Sequence, residues 1–374
     1  MSQRPDSEDE LAALVRDRAE RGAALVVEGG GTRAGGRAAE GERLSTAGLT
    51  GVALYEPGAL TLVVRAGTPL AEVEAVLAAE GQMLPFEPWD ARPLTGANGV
   101  PTIGGAVAVN ASGPRRIAAG ACRDLMIGVR FVDGTGAIVR NGGRVMKNVT
   151  GLDLVKLMAG SRGTLGVLTE VAFKVLPKPE ATATLLIEGL DPETAGRAMR
   201  AAMATPCDVT GAAHLPGATA RTLLRLEGFE TSVAHRARVL AAALAAFGAG
   251  TIVEGPGDWA ALRDAAMFGG REGAVWRVSV KPGDGPRLGA RLGDAEVAYD
   301  WAGGLVWALA PEDLDVRVAM AGIPGHATLV RASAAAHARW GTLHPEPAPV
   351  AALSAGLRAR FDPAGVLGAA RMAA

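Results

Sequence analysis

Between Val26 and Arg37 the chain reads VVEGGGTRAGGR, an apolar strand running into five glycines within eight residues. Glycine reaches φ > 0 and lets a backbone approach a ligand closely. Successive N–H groups in such a turn form a concave nest for phosphate oxygens. A mobile hairpin tip is the competing reading, and on this stretch alone the two stand level. Two further small-residue segments follow, TIGGAVAVNASGPRR at 102–116 and GSRGTLGVLTE at 160–170. Three such segments in one α/β region imply a large ligand met by bare backbone from several sides. A dinucleotide, with a pyrophosphate, a sugar chain and a flat ring, fits that need. The fingerprint G-x-G-x-x-G fails, because Ala34 stands where the third glycine belongs, and no Gly-Lys-Ser/Thr follows for a P-loop. The first loop would thus be a nest without a helix dipole behind it.

Other side chains offer less. The histidines His214, His235, His326, His337 and His344 all lie beyond residue 180, with no H-x-H or H-x-x-x-H spacing. Each reads as a surface or satisfied core residue. Arg271, Arg277 and Arg331 could fork onto a carboxylate, but arginine is common throughout, so each reads as a solvated surface group. Lys147 could stand beside an anionic ring or simply on the surface, and the latter is favoured. Trp89, among prolines, reads as a packing anchor. Cys122 and Cys207 read as small buried hydrophobes and cannot alone ligate an iron–sulfur cluster or a structural zinc.

The elements that must position these groups follow from pattern. A chain of 374 residues, 49% hydrophobic and 21% charged, can bury a large core and points to two domains, or one large one with an insertion. A net charge of −1 without a basic run argues against nucleic acid as a partner. No apolar run spans a bilayer and no signal peptide opens the chain, so a soluble cytoplasmic protein is expected, any membrane attachment being peripheral and through partners. Periodicity predicts a helix over 8–20, strands at 23–27, 52–55 and 60–65, and a helix after Thr68-Pro69 with Thr68 as its cap. A hairpin is expected over 127–140, and Asp153 opens a short helix before Gly160. Pro177 and Pro179 mark the clearest boundary. Beyond it, strands and helices alternate through 331 in an α+β layer. VAALSAGLRARF at 350–361 reads as an amphipathic helix with Val350, Leu353, Leu357 and Phe361 on one face.

The three glycine segments, in this order and spacing, resemble the FAD-binding domain of the vanillyl-alcohol oxidase and p-cresol methylhydroxylase (PCMH) type. TIGGAVAVNASGPRR, RDLMIGVRFVDGTG and GGRVMKNVTGLDLVKLMAGSRGTLGVLTEVAFKVLPKP are similar to the FAD-binding subunits of bacterial glycolate oxidases. The resemblance implies an α+β protein. Its PCMH-type FAD-binding domain, of two α/β subdomains, would cover 1–178 and an α+β cap or substrate domain 179–335. A C-terminal helix and tail, 336–374, would pack back on the FAD domain.

It also implies roles. Glu28, Gly29, Gly30, Gly31, Thr32 and Arg33 would hold the pyrophosphate. Ile103, Gly104, Gly105 and Val107 would lie along the pyrophosphate and flavin, and Ser112, Gly113 and Arg116 near the ribityl chain and ring. Gly163, Thr164, Gly166 and Val167 would close over the adenosine or ring side. Relatives with covalent flavin often place His after the first glycines. Here that position is Thr32, so non-covalent FAD is expected, with no metal. The implied function is the FAD-binding subunit of a glycolate (2-hydroxy acid) oxidase complex, an oxidoreductase of CH–OH donors. Its partners would be a second FAD-binding subunit and an iron–sulfur subunit. Two alternatives stay open: a non-catalytic flavin-binding or electron-relay subunit, since related dehydrogenases carry a C-terminal His and acid cluster not seen here, and a stand-alone oxidase of another alcohol or hydroxy acid. The catalytic residues are not assigned.

Overall fold

A computed structural model describes residues 2–33, 41–143 and 151–368. Gly35, Gly36 and Lys147 lie outside the described residues.

The N-terminal helix Glu8–Arg21 starts where the Ser7 side chain accepts from the Glu10 amide and stops at Gly22. Its buried stripe, Leu11, Ala12 and Val15, packs on a parallel pair of strands, Leu25–Glu28 and Glu42–Ser45. Val366 and Leu367 complete this core from the far end of the chain, and the Leu25 amide donates to the Val366 carbonyl at 2.7 Å.

A five-stranded antiparallel sheet follows, in the order Val52–Glu56, Thr61–Arg65, Val167–Lys174, Met126–Val132, Ile138–Gly142. Against it pack the helix Leu70–Ala79 and the short helix Ile103–Ala108. Thr68 is not the cap of the first of these. Pro69 precedes the helix in an extended conformation, and the Thr68 hydroxyl bonds the Arg65 carbonyl at 2.7 Å while accepting from the Gly51 amide at 2.9 Å. The turn of the predicted hairpin is tied by Asp133, whose Oδ1 accepts from the Thr135 and Ala137 amides.

Beyond Pro179 an eight-stranded antiparallel sheet runs in the order Gly250–Glu254, Ala181–Glu188, Arg221–Gly228, Val209–Leu215, Glu296–Asp300, Leu305–Ala310, Ala274–Val280, Gly325–Arg331. Alternation along each strand splits its side chains between two faces. Trp276, Val278, Val306 and Ala308 share a core with the helices Pro192–Met203 and Glu230–Ala243. Val275, Leu305, Trp307 and Leu309 instead join the core of the five-stranded sheet. The second face of the large sheet therefore covers the glycine-rich unit.

The helix Ala348–Phe361 does not bury the face its periodicity predicts. Val350, Leu353 and Leu357 are exposed, and only Phe361 turns inward, 6.0 Å from the Phe131 ring. The chain is anchored just after it, where the Asp362 carboxylate accepts from the amides of Val366 and Leu367. Among the described residues no helix is long and apolar enough to cross a membrane.

Candidate functional site

The strand Leu25–Glu28 delivers the first glycine segment to the edge of a cleft. Gly30 could carry no side chain there, because a Cβ would stand 1.5 Å from the Val100 carbonyl oxygen. Gly29 lies against the first turn of the helix Ile103–Ala108, whose Thr102 cap accepts from the Gly105 amide at 3.2 Å. Gly104 is pressed on Ala66, and its amide donates to the Ala66 carbonyl at 2.8 Å. Gly163, at φ +78°, brings the third segment against Val27.

Together these make a cleft open to solvent. Glu28, Gly29, Gly104, Gly105, Gly163 and Gly166 line it, with one cation, Arg162, also at its wall. Five of its lining residues are glycines drawn from three distant stretches of sequence. Arg162 adopts φ +55° directly before Gly163, and its amide donates to the Ala108 carbonyl at 2.9 Å. The sequence reading missed Arg162; its signal was a basic residue inside the third glycine segment.

The other expected residues are placed elsewhere. Ile103 and Val107 are fully buried in the main core. Val167 is buried in the N-terminal core, opposite Val132 in the sheet. The Ser112 hydroxyl accepts from the Cys122 amide at 3.0 Å, and the Thr164 hydroxyl donates to the Ser161 carbonyl at 2.7 Å. Gly31 is left-handed, at φ +71°, and the buried Thr32 offers its carbonyl to Thr95 Oγ1 at 3.1 Å. Asp153 caps its helix by accepting from the Lys156 amide at 3.0 Å.

Arg33, Gly113 and Arg116 belong to a second feature. The Arg33 guanidinium lies 4.9 Å from the centre of the Trp89 ring and donates to the Trp89 carbonyl. Trp89 meets Trp307 edge to face, with centroids 5.6 Å apart. Arg277 lies 5.7 Å from Trp307 and 4.9 Å from Trp301. Arg116 lies 4.5 Å from Trp301, whose indole N–H donates to the Gly113 carbonyl at 2.9 Å. A ladder of three arginines and three tryptophans thus runs from the first glycine segment to the second across the covering sheet. Arg33 Nε is buried without a hydrogen-bond partner, and burial pulls this guanidinium well below its usual value.

Of the three arginines weighed for a carboxylate, Arg271 pairs with Glu296 at the surface and Arg331 ties backbone carbonyls, including that of Phe268 at 2.8 Å. Arg277 is not a solvated surface group. Its position is taken up under Trp301 and Trp307, a placement that strand pairing decides and spacing does not show. His326 and His344, far from a metal spacing in the sequence, come close together, the Ala327 amide donating to His344 Nδ1 at 3.3 Å. Among the described residues no three His, Cys, Asp or Glu side chains are grouped to hold a metal.

Residues 3–142 match the family described as FAD binding domain. Over 351 residues the chain is 36% identical to the glycolate oxidase subunit GlcE of Escherichia coli (strain K12), spanning 93% of this chain and 92% of that protein. The chain belongs to the GlcE family. It is also 31% identical over 185 residues to the glycolate oxidase subunit GlcD of Bacillus subtilis (strain 168), covering 49% of this chain and 38% of that one. This second similarity is confined to about half the chain. The fold is that of p-cresol methylhydroxylase, with a TM-score of 0.71, 13% identity and coverage of 98% of this chain and 87% of that structure.

Proposed function

We propose that this chain binds FAD non-covalently as one subunit of a glycolate oxidase complex and takes part in oxidising glycolate to glyoxylate. The carrying observation is that three separated glycine segments meet at one cleft in a chain similar to GlcE along nearly its whole length. The cleft fits a pyrophosphate: bare backbone at Gly29, Gly104, Gly105 and Gly163 allows close approach, and Arg162 adds positive charge at the wall. When bound, FAD supplies a ring that accepts a hydride from a substrate carbon and passes the electrons on. Thr32 is buried and bonded through its own backbone, so the first loop would hold the cofactor by hydrogen bonds and shape alone. The wall of Trp89, Trp301 and Trp307 keeps water from the space between the glycine-rich unit and the covering sheet.

Cys122 and Cys207 are both buried and free, so this chain offers no cysteine cluster to carry electrons onward. The proposed acceptors are partner subunits, a second FAD-binding flavoprotein and an iron–sulfur protein. The test is anaerobic addition of glycolate to the FAD-loaded chain, alone and co-purified with a GlcD-type subunit. Bleaching of the flavin band near ~450 nm in the complex is expected. Failure of the chain to take up FAD, or separate elution of co-expressed subunits on size-exclusion chromatography, would overturn the reading.

A further inference from the structure

Arg277 lies beside two tryptophan rings with two of its buried nitrogens unmatched. It stands on an inner strand of the eight-stranded sheet, opposite Trp307 on one side and Thr328 on the other. Alternation puts it with Val275 on the face that covers the glycine-rich unit. Its Nε and Nη2 are buried and have no hydrogen-bond partner. An arginine remains cationic in proteins, and buried charges are ordinarily paired. Yet neither Arg277 nor Arg116 forms an ion pair among the described residues, although both lie within 5 Å of the centre of the Trp301 ring.

Nearby acids are already engaged. The Asp300 carboxylate accepts from the Trp301 amide at 2.7 Å, and Glu87 is held by Arg225. Two like charges beside one indole, with two idle donors on Arg277, would attract an anion. Tryptophan faces on either side of Arg277 suit a flat one, because they fix the plane of the guanidinium. On the same sheet face His326, opposite Ser279, is exposed. The arginines used elsewhere show the contrast: Arg115 and Arg225 are more fully buried than Arg277, and each meets a carboxylate with two nitrogens.

We propose that Arg277, supported by Arg116, binds the carboxylate of a small 2-hydroxy acid between Trp301 and Trp307, so that substrate recognition lies in this chain. The proposal rests on the function proposed above for the substrate class, but not for the site. Guanidinium forks match carboxylate oxygens in pairs, and both idle nitrogens, Nε and Nη2, lie on one edge of that fork.

The probe is oxalate, a small carboxylate that is not oxidised as a hydroxy acid. Full-length protein is titrated with it twice: loaded with FAD, following the flavin spectrum, and without FAD, following tryptophan fluorescence. Saturable binding is expected for the natural chain, weakened roughly 30-fold in Arg277→Met and less in Arg277→Lys, which keeps the charge and loses the fork. Arg271→Gln, at the surface, should leave affinity unchanged. FAD content should be equal in all variants. Oxalate affinity that survives Arg277→Met in folded protein, or no saturable binding by the natural chain, overturns the proposal. If Arg277→Met fails to fold, Arg116→Gln and Arg277→Lys decide in the same way. If the natural chain fails to take up FAD, the proposed function falls, while the fluorescence titration still judges this site.

Discussion

Glu87 and Arg225 face each other across the two units of the molecule, with Arg225 Nη1 and Nη2 each 2.9 Å from one carboxylate oxygen of Glu87. Arg115 is joined to Glu227 in the same manner, at 3.0 and 2.6 Å, and its amide donates to Glu87 at 2.7 Å. Two cations and two anions are therefore buried as a balanced group between the loop after Leu84 and the eight-stranded sheet. Burial by itself would raise the Glu227 carboxyl, but Arg115 and Arg225 outweigh it and hold it below its usual range.

Removing one charge from this group leaves an uncompensated buried partner. Glu87→Gln is expected to destabilise the protein by about 3 kcal/mol, read from urea or guanidinium unfolding. Combining it with Arg225→Met should cost clearly less than the sum of the two single changes, because both remove the same bond. Strict additivity would show that the pair does not hold the units together.

Gly105 is a site where cleft and fold can be separated. A Cβ there would meet only Thr102 Oγ1, at 3.1 Å, and otherwise enters open space. Gly105→Val should fold, since valine is no worse than glycine in a helix, yet fill the cleft. FAD affinity, measured by equilibrium dialysis, is expected to drop roughly 100-fold, about 3 kcal/mol. Unchanged affinity would place the cofactor elsewhere.

Thr32 carries no group that forms a stable bond to a flavin. Acid precipitation of the FAD-loaded protein should leave a colourless pellet and a yellow supernatant. Colour retained in the washed pellet would refute the non-covalent reading.

The Asp300 carboxyl is buried, which pushes it up to about 7 from an ordinary value of 3.8. The Trp301 amide, Arg225 and Arg277 act in the opposite direction, while Glu87 adds to the rise. The folded state therefore binds this proton more tightly than the unfolded chain. Its stabilising effect is complete below the unfolded value and is lost as pH rises through the folded one. Asp300→Asn should melt several degrees higher than the natural protein at pH 8, with the gain shrinking towards pH 4, in scans at both values. A gain independent of pH would rule out this titration as its cause.

Much of the secondary structure was legible because it depends on local chemistry. The helix at 8–20 and the hairpin around Gly134-Thr135-Gly136 carry caps, turn residues and alternation that need no distant partner. The strands Val209–Leu215 and Leu305–Ala310 were not legible. VTGAAHL has Gly211, Ala212 and Ala213 at its centre in place of larger strand formers, and LVWALA is apolar on both faces, so neither shows the period of two. The exposed helix Ala348–Phe361 shows the reverse error: a helical period alone does not say what a face packs on.

The site divides in the same way. The three glycine segments and their order were plain in the sequence, because only glycine leaves backbone bare, and bare backbone is a local property. That Gly29, Gly105 and Gly163 line one cleft depends on strand pairing and on helix packing over residues more than a hundred positions apart. The standing of Arg277 depended wholly on tertiary structure. In sequence it is one arginine among many, and in the folded chain it is a half-buried fork between two tryptophans whose Nε and Nη2 bond no acid among the described residues. Whether a charge is solvated, paired or held ready for a ligand is set by what surrounds it in space, and the order of residues along a chain does not contain that by itself.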